Sequence, residues 1–147
     1  KKDMKVKIDK SINKIIKEEI DYGINKFKTY QNFGEKVYKI RENVIKNINQ
    51  LKKKGKKIIG FGAPAKATTA LNFFGISDQI DFIVEDNKLK HNKFIPGVKI
   101  PIVSKNKVNG KGDTILVLAW NFFEDIKKNN KTLSDNFINI KSLEKET

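Results

Sequence analysis

The segment GFGAPAK at 60–66 carries the residue types and spacing best suited to chemistry. Gly60 permits a tight turn after an apolar run, and Gly62, having no Cβ, lets the backbone approach a pyrophosphate. Ala65 is small enough for a helix to pack closely on a sheet. Together they form a G-x-G-x-x-A fingerprint. Pro64 suits a first helical turn, where its missing N–H costs nothing, so the orphan N–H groups and positive dipole end beside Ala63 and Lys66 face an anion. Such a turn accepts a phosphate or a carboxylate. It is not a Walker A loop: Ala65 replaces the second Gly, and Ala67 stands where a Mg²⁺-binding hydroxyl belongs. Glu85 and Asp86 follow Gly60 by 25 and 26 residues, close to where an acidic residue holds a ribose hydroxyl. The plainer alternative is a turn needed only for packing.

Trp120 and Asn121 end a later apolar run, at the sheet edge where open α/β folds bind ligands. Asn121 reads equally as a helix N-cap and Trp120 as core. His91 is the single histidine, set among Lys88, Lys90 and Lys93, and reads as an exposed loop residue or a base. With one His and no Cys there is no HExxH zinc site, thiolate zinc site, disulfide or Cys–His dyad. No G-x-S-x-G elbow occurs. No self-sufficient catalytic set is present in the chain.

The elements that must position these residues follow from periodicity. From Phe33, the apolar residues Val37, Ile40, Val44, Ile48 and Leu51 recur every three or four positions, which predicts one buried stripe on a long helix. Gly55 is its expected C′ residue. Lys52, Lys53 and Lys54 fit the last turn, although with Lys56 and Lys57 they also resemble a polyanion patch. A shorter helix precedes, with Ser11 as cap and Ile12, Ile15, Ile16 and Ile20 on one side, broken at Asp21-Tyr22-Gly23. Beyond Gly55, strands are expected at 58–61, 79–86, 98–103, 114–120 and 136–141. Helices are expected at 65–74, ended by Gly75, and around Phe122, Phe123 and Ile126. Alternating strands and helices imply an α/β, Rossmann-like parallel sheet of about five strands. The expected division is a helical lead-in over 1–56 and the sheet domain over 57–147.

Composition sets the bounds. The 147 residues are 38% hydrophobic and 33% charged, enough for one substantial core. Lysines interrupt every apolar run well short of a membrane span, and KKDMKVKIDK lacks the apolar stretch of a signal peptide. A reducing cytoplasm is expected. The net charge of +14 suggests nucleic acid, but of 31 basic residues only Arg41 is arginine, the side chain that bidentate recognition favours. The excess therefore reads as a solvated surface. It also sits mostly in residues 1–57, with 18 basic and 7 acidic side chains.

GFGAPAKATTALNFFGI (60–76), IDFIVEDNKLKHNKFIPGVKIPI (80–102) and VLAWNF (117–122) resemble the C-terminal domain of the S-adenosylmethionine-dependent C-methyltransferases that act on nucleotide-diphosphate sugars. The likeness extends upstream through KEEIDYGINKFKTYQNFGEKV (17–37). It implies a Rossmann-like domain that helps bind the nucleotide-sugar, preceded in the full-length enzyme by a zinc-binding domain and a methyltransferase domain. The family's Gly-rich loop falls on Gly60, Gly62, Ala63, Pro64, Ala65 and Lys66. Its Asp-x-x-x-x-Lys segment falls on Asp86 and Lys88-to-Lys90, its Pro-Gly on Pro96 and Gly97, and its Ala-Trp-Asn on Ala119, Trp120 and Asn121. Departures are Ala67 for Gly or Ser, Thr68 for Asn, and His91-Asn92 for Gln-Gly. The resemblance places the zinc ligands, cofactor loop and catalytic residues upstream, so this chain would bind neither S-adenosylmethionine nor metal alone. The competing expectation is a free-standing dinucleotide- or coenzyme-A-type regulatory module.

Overall fold

The computed structural model describes residues 9–145. They fall into two compact units, one up to Tyr38 and one from Lys39 onward.

In the first unit, α1 (Lys10–Tyr22) starts at Asp9, whose carboxylate accepts the Ser11 N–H at 2.7 Å. Ser11, expected as the cap, instead lies inside the first turn. The Ser11 hydrogen bonds hold the Asp9 carboxyl below its ordinary pKa. Gly23, at φ 83°, ends the helix in the left-handed region. Ile12, Ile15, Ile16 and Ile20 share one face as expected, yet all four are exposed. Helix α2 (Phe27–Lys53) begins in this unit, where Phe27 and Phe33 stand 82% and 66% exposed. The predicted stripe is thus open at Phe33 and closes only further along.

In the second unit the stripe is buried. Val44 and Ile48 are fully enclosed, with Ile40 and Leu51 packed at the margin. Lys52 and Lys53 occupy the last turn and Gly55 takes φ 69° after it, as the sequence predicts. Asn43 and Asn47 are also buried on α2. Their amides donate to the Glu144 and Leu143 carbonyls and so tie the chain's last described turn to the helix. The single arginine serves the fold: Arg41 Nε donates to the Phe73 carbonyl at 2.7 Å, at the negative end of α3 (Ala65–Phe74).

The sheet has six strands: β1 (Ile58–Phe61), β2 (Ile83–Val84), β3 (Lys93–Phe94), β4 (Pro101–Val103), β5 (Thr114–Val117) and β6 (Asn136–Asn139). Their order is β3-β4-β2-β1-β5-β6, parallel throughout except for β3 at the edge. Two-residue β3 carries no periodic signal, so five strands were expected. The expected 79–86 strand shrinks because Ser77–Gln79 form a 3₁₀ turn, and 98–103 is shortened by a turn at Lys99, at φ 56°. Ile58, Ile83 and Leu116 face α2 and α3 on one side of the sheet. Ile59, Phe61, Val84, Ile115 and Val117 face Phe123 and Ile126 of α4 (Phe123–Asn129) on the other. Apolar residues on both faces explain why β1 and β5 read as unbroken apolar runs. Among the described residues no helix is long and apolar enough to cross a membrane.

Candidate functional site

β1 pairs with β2 on one side and with β5 on the other, so the strand order reverses between β1 and β5. A crevice opens beyond their carboxyl ends, the place where open α/β sheets take ligands. Gly62 and Pro64 of the fingerprint turn lie on one wall and Ala119 and Phe122 on the other, whereas Trp120 and Asn121 do not line the space between them. Between them is a cavity of about 300 Å³ lined by Gly62, Pro64, Glu85, Asp86, Ala119 and Phe122.

Packing alone explains both fingerprint glycines. Gly60 is buried within β1, and a Cβ there would sit 2.7 Å from Ile83. Gly62 has φ 88°, and its Cβ would sit 2.9 Å from that of Ala119. The turn and the opposite wall therefore touch directly. Pro64 precedes α3 in an extended conformation, leaving the first-turn N–H groups of Ala65 and Lys66 without intrahelical partners. Ala65 is exposed, whereas Ala63 is buried.

The Ala63 N–H, expected to face an anion, already holds one: it donates to Glu85 Oε2 at 2.8 Å. The Asn87 N–H donates to Glu85 Oε1 at 3.0 Å. Lys90 Nζ donates to the Ala63 carbonyl at 2.9 Å and reaches Glu85 Oε2 at 3.3 Å. Burial pushes the Glu85 pKa up, but the Asn87 and Ala63 N–H groups and the Lys90 ammonium outweigh it and hold the carboxyl below its ordinary value. The carboxylate sits before the positive end of α3, where the helix dipole favours it.

Lys66 lies over the Trp120 ring, 4.2 Å from its centroid, a cation–π contact between α3 and the segment after β5. Trp120 is half-buried and packs on the core, as its core reading expects. Asn121 belongs to a 3₁₀ turn, Trp120–Phe122, and its side chain caps nothing. The N-cap of α4 is Phe122, which makes no side-chain bond.

A second cavity, of about 490 Å³, adjoins the first through Glu85 and Asp86 and extends past Lys88, His91, Ser104 and Lys105. Asp86 pairs with Lys105 Nζ at 2.8 Å. His91 Nε2 lies 2.7 Å from the Glu85 carbonyl, which can only accept, so this nitrogen carries the proton. Asn92 takes φ 61°, a left-handed conformation that asparagine tolerates. Gly97 packs against the Asn72 amide, which donates to the Pro96 carbonyl. Among the described residues no group of three or more acidic or histidine side chains could hold a metal.

Lys105 and Phe122 escape sequence reasoning: Lys105 is lost among 29 other lysines, and Phe122 reads as helix core. Lys90 and Ala119 are legible only through the motifs that carry the resemblance.

The C-methyltransferase C-terminal domain family matches residues 1–139. The chain is also 30% identical over 128 residues to the C-methyltransferase NovU of Streptomyces niveus. That alignment covers 86% of this chain and 30% of the relative, so the chain spans less than a third of the length of the curated relative it matches. With the family match running from the helical lead-in to the last strand, the chain belongs to the C-methyltransferase C-terminal domain family.

Proposed function

We propose that the chain is the substrate-binding C-terminal part of a longer S-adenosylmethionine-dependent C-methyltransferase, and that its crevice takes a nucleotide-diphosphate sugar. The observation that carries this reading is convergence. Gly62 and Pro64, Asp86, and Ala119 with Phe122 come from three separate stretches of sequence and line one cavity near the point where strand order reverses, which supports a ligand there. In this role Gly60, Gly62 and Ala63 shape the turn, while Pro64, Ala65 and Lys66 present its open face. Asp86 offers a carboxylate to hydroxyls, Trp120 an apolar wall and Asn121 a free amide donor and acceptor.

When bound in the longer enzyme, S-adenosylmethionine supplies an electrophilic methyl group. The residues here do not fit that group. Glu85, the acid placed to hold a ribose diol, is already engaged by Ala63, Asn87 and Lys90. We therefore assign the methyl donor to another domain and route no step through it here. The same engagement weighs against a free-standing dinucleotide module, whose loop must offer its N–H groups to pyrophosphate.

The exposed apolar face of the first unit, with Ile12, Ile16, Ile20 and Phe33, is assigned to contact with the upstream methyltransferase domain of the same polypeptide. Neither membrane nor nucleic acid is part of the reading, and the cytoplasm is its compartment.

Calorimetric titration with a panel of UDP-, dTDP-, GDP- and CDP-sugars, run beside an assay with labelled S-adenosylmethionine, tests the assignment. The expected result is binding of at least one nucleotide sugar with no methyl transfer by this chain. Turnover by the chain alone, or no binding across the panel, would overturn it.

A further inference from the structure

We infer that the anionic part of the ligand is held by the basic cavity around Lys88, His91 and Lys105, and not by the glycine-rich turn. This rests on the nucleotide-sugar reading and assigns the diphosphate to one of two neighbouring cavities. At the turn, the place of a phosphate oxygen is taken by Glu85 Oε2, 2.8 Å from the Ala63 nitrogen and 3.3 Å from Lys90 Nζ. A phosphate arriving there would lie against a carboxylate that its surroundings keep ionised. Lys66, in the first turn of α3, is drawn onto the face of Trp120.

The adjoining cavity shares Glu85 and Asp86 but adds Lys88 and Lys105 to its lining. Glu85 is neutralised by Lys90 and Asp86 by Lys105, which leaves Lys88 with no ion-pair partner among the described residues. The lining itself holds two carboxylates and two lysines, and with Lys90, which engages Glu85 from outside the lining, the cluster carries one positive charge in excess. The Ser104 hydroxyl accepts from the Asn106 N–H and keeps its own proton to donate. The His91 ring is anchored by its bond to the Glu85 carbonyl. At about 490 Å³ the cavity is ample for a diphosphate. Because the two cavities share Glu85 and Asp86, a diphosphate in this one lets the sugar lie over Gly62, Pro64 and Ala119. The turn then meets neutral hydroxyls, which suit a carboxylate-capped loop.

The test uses inorganic pyrophosphate on the 147-residue chain, followed by amide NMR shifts and calorimetry, with the nucleotide-sugar panel in parallel. The amides of Lys88, His91, Lys105 and Asn106 should move, and those of Ala65 and Lys66 should not. Lys88→Glu should weaken pyrophosphate at least tenfold. Joint replacement of Lys52, Lys53 and Lys54 by Gln, which removes more charge from a remote helix end, should weaken it less than threefold. Largest shifts at Ala65 and Lys66, equal losses from the two variants, or no binding at millimolar pyrophosphate would overturn the inference. Nucleotide-sugar binding with pyrophosphate on the turn would sink it and leave the functional reading standing. Pyrophosphate in the basic cavity with no nucleotide sugar bound would keep the anion site and remove that reading.

Discussion

Glu85 organises the site at the scale of single residues, because one carboxylate closes the turn, the Asn87 N–H and Lys90 into a single unit. Glu85→Gln keeps the length of the side chain but loses the charge that Lys90 and the α3 dipole favour. Its expected cost at pH 7 is about 1–2 kcal/mol of stability, read from denaturant melts. The pH dependence has a definite sign. The folded-state pKa lies below the unfolded value, so this stability is present above the ordinary glutamate value of about 4.3 and is lost as pH falls through the folded value. Below that window the two proteins should converge, and a gap that persists at low pH would contradict the account. The fingerprint itself was legible in GFGAPAK, and an acid near 85 was expected. Which way that acid turns was not legible, since it depends on Lys90 folding back over the loop from the end of a 3₁₀ turn. The role of Arg41 was equally hidden: its partner is a carbonyl 32 residues away.

Among the elements, the contact between the β1–α3 turn and the segment after β5 fixes the crevice. Gly62→Ala forces a side chain into the left-handed region and against Ala119. It should destabilise the chain by about 1–3 kcal/mol, so lost binding in that variant does not by itself locate a ligand. Asn121 is the cleaner probe because it caps no helix. Asn121→Ala should leave stability within about 0.5 kcal/mol and weaken nucleotide-sugar affinity in calorimetry. Unchanged affinity would remove it from the site. Strands β1 and β5 were legible because sheets covered on both faces demand continuous apolar runs. β2 and β4 were read too long because the flanking apolar residues Ile80 and Ile100 are buried outside the ladder. β3 had no signal at all, being two exposed residues.

The whole molecule consists of a sheet unit with its own core and a helical unit whose apolar face is open. Replacing Ile16 and Ile20 by Ser should not lower the melting temperature of this chain, since neither is buried. In the longer enzyme the same pair should speed limited proteolysis between domains, and unaltered proteolysis would count against the assigned contact. The face was visible as a periodic stripe, but periodicity gives no sign of what covers it. The central claim is that the crevice beyond β1 and β5 takes a nucleotide-diphosphate sugar, and amide NMR during titration with the tightest sugar of the panel tests it most directly. Shifts are expected at Gly62, Ala119, Asn121, Lys88 and Lys105, with the helical unit silent. Shifts confined to the lysine-rich first third, or spread without a focus, would contradict it.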